Sequence, residues 1–277
     1  MKKSLLSLIL LLSGLWSSAQ SLELGLMGGV SLYSGDLSPQ EFGLYFDQFN
    51  PAGGIFLRKN INRTFAARLG VSLTKVDGSD ENTGFEELRD LNFRSQILEI
   101  ALTGEVNLFR LGSPKRTQFA PYLFAGVGIY HFNPEARFED NWIELQPLGT
   151  EGQGLPGYDE PYSLTQVCLP FGGGLKFIFK EKWTLGLELG GRKLFTDYLD
   201  DVTGAEVNYI DVLTGNGTLA AQLSNPLIKN PEEDEIIYNR GGDFQDWYFI
   251  GGVTLSFKFG DGGGGGRGGR QLGCPGF

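Results

Sequence analysis

Residues Leu164 to Val202, LTQVCLPFGGGLKFIFKEKWTLGLELGGRKLFTDYLDDV, carry the pattern on which the fold turns. Leu169, Phe171, Leu175, Phe177 and Phe179 take every second position of a first arm, broken only by Gly173, and Trp183, Leu185, Leu187 and Leu189 do the same on a second. A period of two belongs to a strand, because successive side chains leave opposite faces of an extended chain. The alternate positions hold Pro170, Gly172, Gly174 and Lys176, then Thr184, Gly186, Glu188, Gly190 and Arg192, so the other face is small, polar or charged. A soluble sandwich with its charge outside and a membrane barrel with its charge inside share this pattern. The choice between them falls to the rest of the chain.

Residues 1–19 have the form of a secretory signal: Lys2 and Lys3, an apolar run from Leu5 to Leu12, and Ser17-Ser18-Ala19 before Gln20. No cysteine lies near that site, which argues against a lipid anchor. After Ser21 no apolar run approaches the roughly 18 to 20 residues of a membrane helix, so the mature chain is soluble or a β-barrel. The formal charge of −10 becomes −12 without Lys2 and Lys3, which disfavours nucleic acid and anionic lipid surfaces as partners. The 42 glycines and 21 phenylalanines suit tight turns, close strand approach and aromatic girdles. Cys168 falls inside a strand pattern and Cys274 near the end, so no disulfide framework is expected.

Taken in order, alternation marks a strand over Leu22–Gly35, a second near Pro51–Lys59 whose two faces the sequence leaves unassigned, and a third from Thr64 to Thr74. A fourth sets Leu98, Ile100, Leu102, Val106 and Leu108 against Glu99, Ala101, Thr103, Glu105 and Asn107. The fifth, Pro121–Phe132, sends Leu123, Ala125, Val127 and Ile129 one way and Tyr122, Phe124 and Tyr130 the other. The hairpin supplies two more, and Trp247–Phe259 an eighth. The links run long, short, long, short, long, short, long, the asymmetry of an outer-membrane barrel with short periplasmic turns and long external loops. The expected fold is therefore all-β: an eight-stranded antiparallel transmembrane barrel over 20–259, followed by a Gly-rich tail, 260–277, with both termini periplasmic.

Eight strands leave a lumen that side chains can fill. Its inward charges are read as Arg68, Lys176, Arg192 and Lys258 against Glu23, Glu99, Glu105 and Glu188, a balanced set that suits an internal ion network better than a conduit. Trp183 and Phe259 are expected in the girdle at the inner rim, Trp247 and Phe195 at the outer. His131, the one histidine, falls on the lipid-facing register with no spacing that supplies a nucleophile or acid, so no catalytic role and no cofactor are assigned. Asp197, Asp200 and Asp201 could offer oxygens to Ca²⁺ but lack the turn and ligand ladder of a dedicated loop. Gly172-Gly173-Gly174-Leu175-Lys176 has neither the spacing of a phosphate loop nor a following helix.

Several segments together resemble a known family: Tyr33-Ser34-Gly35-Asp36-Leu37, Asn92-Phe93-Arg94-Ser95, Pro121-Tyr122-Leu123-Phe124-Ala125-Gly126-Val127-Gly128, the run ELQPLGTEGQG from Glu144 to Gly154, YSLTQ from Tyr162 to Gln166, RKLFTDYLDDV from Arg192 to Val202, and the Cys274-Pro275 ending. The chain is similar to the PorG-like outer-membrane barrels of the Bacteroidetes. That resemblance implies a component of the type IX secretion system, associated with a periplasmic ring built by the PorK lipoprotein and PorN, and linked in some members to gliding motility. The competing expectations are a surface adhesin acting through the acidic loops and a loop-borne hydrolase or acyltransferase.

Overall fold

A computed structural model describes residues 21–39, 43, 48–82, 89–229, 236–242 and 244–259. The expected signal segment and the tail with Cys274 lie outside them. Eight antiparallel strands close on themselves: β1 (Ser21–Ser34), β2 (Asn50–Asn60), β3 (Phe65–Ser79), β4 (Asn92–Asn107), β5 (Thr117–Phe138), β6 (Thr165–Phe179), β7 (Trp183–Leu194) and β8 (Trp247–Phe259). Each pairs with the next in sequence, and β1 pairs with β8 from Leu22↔Phe259 to Ser34↔Trp247, so no edge is left open. Closure pairs every strand on both sides, the condition for crossing a bilayer with strands; the ladder is interrupted between β5 and β6 at Pro170, which has no amide to give.

The outer wall is a continuous apolar band. Leu26 is 61% exposed, Leu73 64% and Val127 60%, and their neighbours in register are equally apolar: Leu26 stands beside Ile55, Ile55 beside Val71, Val71 beside Ile100 and Ile100 beside Ile129. A greasy belt that encircles a protein far exceeds the few hundred Å² of apolar patch that a water-soluble monomer tolerates, which assigns this wall to lipid. On β4 the belt runs from Leu98 to Val106; at about 3.3 Å per residue and a tilt near 40° that is roughly 20 Å of membrane, close to the ~25 Å of known barrels. Among the described residues no helix is long and apolar enough to cross a membrane.

The inner face is filled by mismatched sizes. Phe124 lies against Gly172 and Gly190, and Tyr122 against Gly174, so bulky rings on β5 occupy room left by glycines on β6 and β7. Gly126 is glycine for a different reason: a Cβ there would sit 2.1 Å from the carbonyl oxygen of Leu102 on the neighbouring strand.

Short turns join β2 to β3, β4 to β5 and β6 to β7 at one end, and both chain ends of the barrel lie there too. At the other end β3, β4 and β5 run beyond the belt, and the long connections fold over the mouth as a cap. The expected fifth strand, Pro121–Phe132, is the core of the 22-residue β5, which bends out to pair with a short strand, Asn141–Glu144. The last connection, expected only as a long external loop, has structure of its own. It holds a small antiparallel pair, Glu206–Asn208 with Ile237–Asn239, and two helices, α1 (Tyr209–Gly215) and α2 (Thr218–Ser224). Asn208 caps α1 by accepting from the amide of Ile210, and Val207, Tyr209, Val212, Ala220 and Ala221 form a small core of their own.

Candidate functional site

The lumen holds two groups of buried ion pairs, one around Glu105 and one around Glu99. Arg58 on β2 reaches Glu23 (2.9 Å) and Glu105 (2.9 Å); Glu105 also takes Lys176 (2.5 Å) and Arg68 (3.4 Å). Arg68 turns its other edge to both oxygens of Glu188 (2.5 and 2.9 Å), which also accepts from the Tyr122 hydroxyl. Arg192 grips both oxygens of Glu99 (2.9 and 3.3 Å), and Tyr248 donates to the same carboxylate (2.6 Å). Phe56 lies beneath the guanidinium groups of Arg58 and Arg68, and Tyr122 beneath the ammonium of Lys176. Four cations face four carboxylates with their hydrogen-bonding capacity used, which is the condition for keeping charge away from water. A cavity of about 40 Å³ beside Phe56, Arg68, Glu99 and Arg192 is room for a few waters, not for a solute stream.

Sequence reasoning placed Lys258 in this set and missed Arg58. Lys258 is half-exposed at the short-turn end of β8 and makes no ion pair among the described residues. Its register neighbour Glu23 is taken instead by Arg58, Asn60 (2.6 Å) and Ser256 (2.9 Å). The remaining seven expected residues, Glu23, Arg68, Glu99, Glu105, Lys176, Glu188 and Arg192, meet in the lumen. Arg58 was hidden because Pro51, Gly53 and Gly54 blur the alternation of β2; the signal that reveals it is Ile55 and Leu57 on one face with Phe56 and Arg58 on the other.

The expected girdle residues stand at the two ends of the belt. Trp183 packs edge-on against Phe257 (4.8 Å) and Phe257 against Phe259 (5.1 Å) at the short-turn end; Trp247 meets Phe171 (5.9 Å) at the cap end, where Phe195 is exposed. His131 lies on the outer wall with its Nδ1 3.0 Å from the Thr165 hydroxyl, and that contact positions no nucleophile.

The cap joins two stretches that sequence alone kept apart. Asp201 accepts from Tyr162 (2.6 Å), from Thr150 and from Arg240 (3.3 Å). Glu151 accepts from the amide and hydroxyl of Thr203 (both 2.8 Å) and from Arg240 (3.4 Å). The ELQPLGTEGQG run and the TDYLDDV run are thus stapled by one buried arginine. Burial pushes the Glu151 carboxyl up to about 7 against the pull of Arg240, and raises Asp201 likewise. Beside them the Tyr33 hydroxyl lies 2.5 Å from Asp200 and 3.0 Å from Asp246. A phenol has one proton to give, so bridging two carboxyl groups requires that one of them carry a proton as well. Burial and the repulsion of neighbouring carboxylates, Asp36 and Asp197 among them, raise both well above the ordinary carboxylate range. Asp200 and Asp201 therefore serve separate networks, and among the described residues no group of His, Cys, Asp and Glu could hold a metal ion. Gly172–Gly174 and Lys176 are plain strand, with Lys176 bound to Glu105.

The sequence matches, over residues 2–222, the family described as a domain of unknown function, DUF6089. The chain belongs to that family. Solved structures similar to this DUF6089 member include the Neisserial surface protein A (10% identity, 87% of this chain and 98% of that one, TM-score 0.40), the attachment invasion locus protein Ail of Yersinia pestis (8%, 87% and 97%, TM-score 0.36) and OprG of Pseudomonas aeruginosa (12%, 86% and 94%, TM-score 0.37). At these identities and TM-scores they transfer no role to this chain. A comparison with curated proteins returns no match.

Proposed function

We propose that this barrel is a non-enzymatic outer-membrane subunit of the type IX secretion system, which anchors a periplasmic ring of PorK-like and PorN-like subunits with its short turns and both termini in the periplasm. One observation carries the scaffold reading: the lumen is plugged by a charge-balanced network, so the molecule has no conduit and must act through its faces. The secretion role itself rests on the family resemblance of the quoted motifs. Deleting the gene should block export of secreted cargo, and the ring subunits should co-purify with the barrel from native membranes; normal export in the deletion strain overturns the proposal.

The folded cap supports a second reading, a surface-binding barrel. It encloses a cavity of about 490 Å³ floored by Leu91, Leu145, Leu213 and Leu223, within the size range of ligand sites. Because Glu206 and Asn239 are register partners, residues 207–238 can be replaced by a short link. Loss of surface binding with export intact would favour this reading over the first.

A further inference from the structure

Charge is matched inside the barrel and conspicuously unmatched at one end. The short turns carry Arg63 after β2, then Arg110, Lys115 and Arg116 between β4 and β5, then Lys180 and Lys182 between β6 and β7, and Lys258 stands beside them near the end of β8. None of the seven makes an ion pair among the described residues, and Glu181 is the one carboxylate in those turns. In a chain of net charge −10 these seven cations and Glu181 sum to +6.

Two features show that this is more than a fringe of solvated side chains. Backbone bonds bring like charges together: the Lys180 amide donates to the Arg116 carbonyl (3.0 Å) and the Lys258 amide to the Lys182 carbonyl (2.8 Å), so four cations from three segments form one arc. Such crowding raises a positive potential over the mouth, and Glu181 is the one carboxylate those turns set against it. Lys258 also sits on the lumen-facing register, opposite Glu23, and Arg110 is half-buried with its Nε unpartnered among the described residues. Lipid phosphates meet the perimeter, where Lys59 stands on the outward register of β2; charges on the inner register face what approaches along the barrel axis.

We infer that the short-turn end is a docking surface for an acidic protein partner, recognised by the cationic arc of Arg116, Lys180, Lys182 and Lys258. Its location in the periplasm rests on the orientation proposed above, and the docking chemistry does not. In zwitterionic nanodiscs both ends are open, so a fluorescent peptide of about ten alternating aspartates and glutamates can be titrated by anisotropy against the full chain. The expected result is saturable binding that weakens about tenfold or more in the Lys180→Glu/Lys182→Glu variant, weakens on raising salt to several Debye lengths' worth of screening, and is unchanged in Lys229→Glu at the cap. Heat-modifiable gel mobility checks that the variants are folded. Absence of saturable binding, indifference to the paired reversal, or equal binding of an oligolysine peptide overturns the inference; so does a variant whose only change is its behaviour in phosphatidylglycerol nanodiscs, which would assign the arc to lipid. Labelling of Ser113→Cys and Asp140→Cys by an impermeant maleimide on intact cells tests the orientation separately.

Discussion

Removing Arg58 is the sharpest test of the plug. Arg58→Met keeps the aliphatic volume over Phe56 and deletes the charge shared by Glu23 and Glu105. The two carboxylates are not equally harmed. Glu105 keeps Lys176 at 2.5 Å and Arg68 at 3.4 Å, whereas Glu23 is left with the neutral donors Asn60 and Ser256 and no cation. Stranding a buried charge costs about 3–5 kcal/mol, and nearly all of it should fall on Glu23. The double variant Arg58→Met/Glu23→Gln, which removes both charges and keeps the Asn60 and Ser256 contacts, should recover about 2 kcal/mol or more. Urea unfolding in lipid vesicles, read by tryptophan fluorescence, gives all three free energies. A single-variant cost under about 1 kcal/mol, or a double variant no better than the single, would refute the reasoning that Glu23 depends on Arg58.

Lys258→Gln should change stability by less than about 0.5 kcal/mol in the same assay, since the side chain stands outside the network. Gly126→Ala should cost about 1–3 kcal/mol because its methyl meets the Leu102 carbonyl, whereas Gly28→Ala on the lipid wall, with nothing within 4 Å, should be near neutral; equal costs would remove the close-approach argument. Glu151 has its folded pKa raised from 4.5 to about 7, so its contribution to the cap is full below about pH 4.5 and is lost as pH rises through 7, a span worth about 3 kcal/mol. Hydrogen exchange at the Thr203 amide, corrected for intrinsic rate, should therefore quicken between pH 5 and 8, and Glu151→Gln should flatten much of that rise; Asp200, Asp201 and Asp246 push in the same direction and set the remainder.

The wall of the barrel was legible because lipid on one side and a polar core on the other impose alternation on nearly every strand, and because loop lengths distinguish its two ends. Where glycine and proline dilute the pattern, as at Pro51, Gly53 and Gly54, the register is lost and Arg58 with it. Lys258 erred the other way: its register is inward, but alternation carries no depth, and depth decides whether an inward lysine is buried or wet. The cap was opaque for a different reason. The pairing of Glu151 with Thr203 and Arg240 spans 52 and 89 residues, and no local periodicity announces a contact of that range. The helices α1 and α2 are seven residues each, too short to show an amphipathic stripe.

The lumen pairs join strands that are not neighbours: Arg68 of β3 to Glu188 of β7, Arg192 of β7 to Glu99 of β4. They lie 120 and 93 residues apart along the chain, so neither can form while the sheet is still an open ribbon. Interactions absent from the rate-limiting state leave the speed of assembly unchanged and slow the reverse step. The plug thus acts as a one-way catch, idle during insertion and engaged once the last seam between β1 and β8 has zipped.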